Sequence, residues 1–90
     1  MEFEWDPEKA GSNLAKHGVT FHYASSVFDN SNCVTGYEPV NSDEEDRFIT
    51  AGISSLGRLL IVWPKDRGDV IRIIGTRPAT KRECIDYTND

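Results

Sequence analysis

The sequence predicts an α+β fold, in which an antiparallel β-sheet meander carries two N-terminal helices packed on it and a short C-terminal helix, all within one domain spanning residues 1–90. Three observations lead there. Two apolar runs, Leu59 to Trp63 and Val70 to Ile74, are joined by Pro-Lys-Asp-Arg-Gly-Asp, a connection of turn-forming residues. Upstream, Asp6-Pro7-Glu8 and Thr20 supply helix starts. Downstream, Thr80-Lys81-Arg82-Glu83 has the spacing of a capping box, in which the threonine hydroxyl and the glutamate carboxylate each take a free backbone amide.

Taken in order, Phe3-Glu4-Trp5 alternates as a short strand does, and Asp6, Pro7 and Glu8 then give an N-cap, a proline at the first helical position and an acidic first turn. That helix is expected to run to His17, because Gly18 suits the left-handed position beyond a helix end. Ala10, Asn13, Leu14 and His17 share one stripe on it. A second helix follows Thr20, with Phe21, Ala24 and Phe28 on one face, and ends at Asp29-Asn30-Ser31-Asn32. Cys33 to Glu38 reads as a weak strand, Pro39 to Asp46 as a polar loop, and Arg47 to Ile53 as a strand with Ile49, Ala51 and Ile53 on one side. Ser54-Ser55-Leu56-Gly57 makes the hairpin into the first apolar run.

Ninety residues suffice for one modest core, and 38% hydrophobic with 28% charged residues is too apolar for a disordered chain. No apolar stretch is long enough to span a membrane, and Met1 to Asp6 lack the pattern of a secretory signal, so a cytoplasmic protein is expected. The net charge of −5 hides an asymmetry: residues 1–46 carry ten acids and two bases, or −8, whereas residues 47–90 carry five acids and eight bases, or +3. Cys33 and Cys84 stand far apart, and neither they nor His17 and His22 fall into metal-ligand spacing, so no metal or cofactor is expected.

The chemical signal that remains is clustered guanidinium. Arginine suits phosphate because its planar fork donates two parallel hydrogen bonds and stays charged when partly buried. Arg72, inside Val-Ile-Arg-Ile-Ile, is read on a face with Val70 and Ile74, where it needs either a ligand or an ion pair with an acid of the first half. Arg77 lies where strand gives way to helix. Arg67 and Arg58 stand in connections, and Lys16 and His17 share a helix end whose dipole favours cations.

Phe3-Glu-Trp-Asp, Lys16-His-Gly-Val-Thr-Phe, Asp46-Arg-Phe-Ile, Gly57-Arg-Leu-Leu-Ile-Val and Ile71-Arg-Ile-Ile, followed by Arg77, Ala79-Thr80, Glu83 and Tyr87, together resemble the BrnT family over nearly the whole chain. The resemblance implies a RelE-like ribonuclease fold and a toxin of a type II toxin–antitoxin module. It further implies that such a toxin cleaves RNA to stop translation, and that a DNA-binding BrnA-like antitoxin neutralises it and brings it to operator DNA. On that footing Arg72 and Arg77 would stabilise charge on the phosphate, with Lys16, Arg67 and Arg58 binding RNA, and His17, Glu83 and Tyr87 as the candidate base and acid. The chain departs from the family pattern at Asn41, at Gly75-Thr76 and at Cys84. The alternative is a non-catalytic homologue that acts by binding.

Overall fold

A computed structural model describes residues 2–38 and 47–88; the expected loop from Pro39 to Asp46, with Asn41, lies outside the described residues. The elements are β1 (Glu2–Glu4), α1 (Pro7–His17), α2 (Phe21–Ser25) continued by a 3-10 turn (Ser26–Asp29), β2 (Val34–Glu38), β3 (Arg47–Ile53), β4 (Leu59–Arg67), β5 (Val70–Pro78) and α3 (Lys81–Thr88). The helix starts and the end of α1 follow the sequence signals, whereas the second helix, expected to last to Asp29-Asn30-Ser31-Asn32, is α-helical only to Ser25 and tightens into the 3-10 turn beyond it. Asp6 Oδ1 accepts the Glu8 amide at 2.9 Å, Thr20 Oγ1 accepts the Tyr23 amide at 3.0 Å, and Gly18 at φ 72° donates to Leu14 O. At α3 the capping box is reciprocal: Thr80 N–H donates to Glu83 Oε1 at 2.8 Å and Glu83 N–H to Thr80 Oγ1 at 3.1 Å. No helix among the described residues is long and apolar enough to cross a membrane.

The sheet order is β1-β5-β4-β3-β2, and the sheet is mixed rather than a pure antiparallel meander, because β1 pairs with β5 in parallel. A hairpin turn fixes antiparallel pairing for β3, β4 and β5. No such turn joins β1 to β5, so alternation in Phe3-Glu4-Trp5 carries a strand signal but neither partner nor direction. The second correction concerns the β4–β5 connection. β4 does not stop at Trp63 but continues to Arg67, which pairs with Val70, leaving a two-residue turn of Gly68 (φ 71°) and Asp69. Pro64 survives inside the strand because the ladder shifts register there: Trp63 pairs with Gly75 and Pro64 with Ile73, so Ile74 is the extra residue of a β-bulge.

One face of the sheet takes the two N-terminal helices, and α3 lies against the other. Val19, Phe21, Ala24 and Val27 meet Leu60, Val62 and Ile73 in a buried core, with Trp5 edge-on to Phe21 and Phe3 tilted against Phe28. The buried threonines are satisfied, Thr76 Oγ1 donating to Ile61 O at 2.9 Å and Thr50 Oγ1 lying 2.8 Å from Thr35 Oγ1 across the strands. Beyond the short β1, α1 covers the edge of β5, and Asn13 Oδ1 accepts the Thr76 amide that an edge strand would otherwise leave open.

Gly52 sets how closely the 3-10 turn approaches β3. A Cβ there would lie 2.6 Å from Val27 Cγ1 and 2.8 Å from Cys33 Cβ. Gly52→Ala is therefore expected to destabilise the fold by about 1–3 kcal/mol through overpacking, read as a lower midpoint in urea unfolding. An unchanged midpoint would mean that the turn lifts off the sheet at little cost.

Candidate functional site

The second face of the sheet is where the basic residues gather, and the bulge is the reason. Arg72 and Arg77 are five positions apart, which in a regular strand puts them on opposite faces. With Ile74 absorbed by the bulge, Arg77 stands opposite Ile61 and Arg72 opposite Lys65, and Ile61, Trp63, Lys65 and Arg67 alternate along one side of β4. Arg67, Lys65, Arg72, Trp63 and Arg77 thus share a face turned away from the helical core. Ile74, expected to share a face with Arg72, instead lines a cleft beside α1. Strand geometry places Arg72 and Arg77 roughly 13 Å apart, at ~3.3 Å per residue.

At one end of this face, α3 holds Arg77. Arg77 Nη1 donates to Glu83 Oε1 at 2.8 Å and Nη2 to Glu83 Oε2 at 2.9 Å, a bidentate fork, while Nη1 also reaches Pro78 O at 3.1 Å. The guanidinium carbon lies 5.6 Å from the centroid of the Trp63 ring. Arg77 lowers the Glu83 carboxyl from the usual value near 4.5 to about 2, helped by the Thr80 amide and opposed by burial. Near neutral pH Glu83 is thus a carboxylate that accepts hydrogen bonds rather than protons. It serves the cap and Arg77 at once. Tyr87, one turn further on, donates its hydroxyl to Asn32 O at 2.9 Å. Glu83, Asp86 and Tyr87 face Val34, Ile49, Ala51, Leu59 and Ile61 across a gap of about 320 Å³.

At the other end, Glu4 from β1 accepts from Arg72 Nη1 at 3.0 Å and from Arg67 Nη1 at 3.3 Å. The ion pair between Arg72 and an acid of the first half, one of the two readings of the sequence, is therefore present. Arg67 groups with Arg72 and not with Arg77. Lys16 and His17 lie elsewhere, lining the cleft beside α1 with Asp6, Lys9, Asn13 and Ile74. Arg58 is exposed in the β3–β4 hairpin, and its main chain closes that turn: Ser54 N–H donates to Arg58 O at 2.7 Å and Arg58 N–H to Ser54 Oγ at 3.1 Å. The expected site residues thus divide into three places: Arg77, Glu83 and Tyr87 with α3; Arg72 and Arg67 with Glu4; Lys16 and His17 beside α1. Lys65, expected as a basic residue of the turn, instead joins this face from within β4, and Trp63, expected as the last residue of its strand, stands beside it on the same side. Continuing the period-2 alternation through Pro64 would have placed Lys65 there. Among the described residues no three His, Cys, Asp or Glu side chains are grouped to hold a metal ion.

Chemically, the face offers planar donors to a chain of anionic oxygens, with the Glu4 and Glu83 carboxylates resting on Arg67, Arg72 and Arg77 meanwhile. The sequence matches the family model described as ribonuclease toxin, BrnT, of type II toxin–antitoxin systems, over residues 5–83. The fold is similar to the 1.1 Å crystal structure of the Brucella abortus ribonuclease toxin BrnT, with a TM-score of 0.60 and 24% identity over 90% of this chain and 99% of that one. No curated protein matches the chain.

Proposed function

Because the matched family model takes in residues 5–83, the chain belongs to the BrnT family of ribonuclease toxins of type II toxin–antitoxin systems, and we propose from this premise that it is an endoribonuclease that halts translation. The reaction is attack by a ribose 2′-hydroxyl on the adjacent phosphate, which develops negative charge on the phosphoryl oxygens and needs no metal. Arg72 and Arg77 stabilise that charge, with Arg67, Lys16 and Arg58 holding the rest of the RNA. The observation that carries this reading is the bulge in β5, which turns both arginines to one face. His17 and Tyr87 are the proton-transfer candidates; Glu83 fits a positioning role better, since its carboxyl stays ionised to about pH 2. The fold is of the RelE-like kind, and the protein works in the cytoplasm. Its partner is a BrnA-like DNA-binding antitoxin that blocks the toxin and, in complex with it, represses their shared operon, so that operator DNA is met through the antitoxin.

A second reading has its own support. The Arg77 fork is already engaged by Glu83 and Arg72 by Glu4, which suits a homologue that acts by binding to the antitoxin–DNA complex or the translation machinery without cutting. Incubating the purified protein with RNA, alongside expression with and without the antitoxin, separates the two. Cleavage together with growth arrest relieved by the antitoxin is expected; growth arrest with intact RNA would favour binding to the translation machinery, and normal growth with abundant folded protein would sink the toxin reading and leave binding to the antitoxin–DNA complex.

A further inference from the structure

The roles above use only one end of the cleft beside α1, where Lys16 and His17 stand. We propose that the whole cleft is a nucleotide subsite for single-stranded RNA, in which Lys9 and Lys16 hold phosphate and the Glu8 carboxylate reads a guanine edge. This rests on the reading of Arg72 and Arg77 as phosphate ligands, and adds to it a base-reading residue, Glu8, and a phosphate contact, Lys9.

The wall of the cleft is built from two adjacent stripes of α1. Glu8, Ser12 and Lys16 stand at i, i+4 and i+8, as do Lys9, Asn13 and His17, and all six line a space of about 430 Å³ together with Ile74 of β5. Residues 1–46 carry only two bases against ten acids, and those two are Lys9 and Lys16. Among the described residues no carboxylate pairs with either, whereas Arg67 and Arg72 rest on Glu4 and Arg77 on Glu83. A phosphate arriving in the cleft therefore displaces no ion pair. Asn13 fixes the wall in place, its Oδ1 accepting the Thr76 amide and its Nδ2 donating to Val19 O, each at 3.2 Å.

The acids decide which part of the RNA goes where. Glu8 lies roughly 12 Å from Lys16 along the helix, a span of the order of one nucleotide from phosphate to base edge. A phosphate is repelled at Glu8, but a base edge donates hydrogen bonds there. Guanine sets two N–H groups side by side on its Watson–Crick edge, which the two oxygens of one carboxylate accept together, whereas the other bases place a single donor group there. Asp6, also in the cleft, is already engaged by the helix cap, accepting the Glu8 amide at 2.9 Å. The cleft meets the basic face at the bulge. Ile74, the extra residue that brings Arg72 and Arg77 to one side, lines the cleft itself. At Gly75, the next residue, a Cβ would lie 3.7 Å from Trp63 on the basic face and 3.9 Å from Asn13 in the cleft wall, so the absent side chain marks where the two join. A strand held by the arginines reaches the cleft across Gly75, and a nucleotide seated in it lies beside His17.

The test uses the full chain and short 2′-O-methyl oligouridines, which cannot supply the attacking hydroxyl, with or without a single guanine placed at each position in turn. Wild type should bind the best-placed guanine oligomer roughly 5- to 150-fold more tightly than the all-uridine one, the range of a bidentate base contact. Glu8→Gln should erase that preference and leave the all-uridine affinity no weaker, with thermal melting confirming the fold. Should Glu8→Gln fail to fold, Glu8→Asp keeps a charge at the helix start while withdrawing the carboxylate, and should lose the preference in the same way. Lys9→Gln should weaken both oligomers and lower the salt slope by about 0.7, the share of one neutralised phosphate on a single strand. No guanine preference, a preference that survives in the Glu8 variants, or an unchanged salt slope in Lys9→Gln would overturn the subsite, and loss of binding in Arg72→Ala with Arg77→Ala would then spare the arginine reading. Binding indifferent to that double substitution would overturn both. A Lys9→Gln protein that binds RNA as wild type but holds the antitoxin more weakly would overturn the subsite in favour of a protein-docking cleft.

Discussion

Arg77→Lys is expected to lower the rate of RNA cleavage roughly 10²- to 10³-fold, the loss typical of removing one charge-stabilising donor, while the protein stays folded. Lysine keeps the positive charge beside Trp63 but replaces a planar fork with a point charge, so it can meet one phosphoryl oxygen where arginine meets two. It can likewise hold only one of the two Glu83 oxygens that Arg77 holds at 2.8 and 2.9 Å, which costs some anchoring of α3 but leaves the capping box intact. Arg72→Lys makes the internal comparison. Arg72 gives Glu4 one hydrogen bond, at 3.0 Å, which lysine can replace, so its pair should survive and any fall in rate reports on RNA alone. Single-turnover cleavage measured beside thermal melting resolves the outcomes: a full rate in Arg77→Lys would remove the phosphate fork from the mechanism.

How much of this was legible in the sequence depends on whether a signal is local. Asp6, Thr20 and Gly18 mark their helix ends because capping is settled within four residues, and the Thr80–Glu83 box formed as its spacing demands. Likewise β2 and β3 fall within a residue of the expected spans. What failed was long in range. The parallel direction of β1 is set by a strand nearly seventy positions away. The bulge at Ile74 depends on how Pro64 in the facing strand is accommodated, and that single irregularity decides which residues stand with Arg72 and Arg77. Lys16 and His17 were placed correctly at a helix end, yet that end lies in a cleft of its own. Glu83 had a local explanation complete in itself, and so concealed its second partner, Arg77, six residues before it.

That double role gives the most discriminating single-site comparison in the chain. In Glu83→Gln the amide oxygen can still accept the Thr80 amide, preserving the cap, but the amide nitrogen now faces the Arg77 donors and the ion pair is gone. Glu83→Ala removes both. A cap contributes about 1 kcal/mol and a partly exposed ion pair up to about 1, so at roughly 4–8 °C per kcal/mol Gln should melt somewhat below wild type and Ala lower by about twice as much. The pH dependence identifies the pair. Because folding depresses the Glu83 pKa from near 4.5 to about 2, its stabilisation is complete above pH 4.5 and is lost as pH falls toward 2. The gap in melting temperature between wild type and Glu83→Gln should therefore be constant near neutrality and close over that acid window. Cleavage by Glu83→Gln should stay within a few-fold of wild type, since a carboxyl already ionised far below working pH is a weak base. A Gln variant that melts as expected yet cuts roughly 10²- to 10⁴-fold more slowly would make Glu83 the general base and the Arg77 contact the means of aiming it.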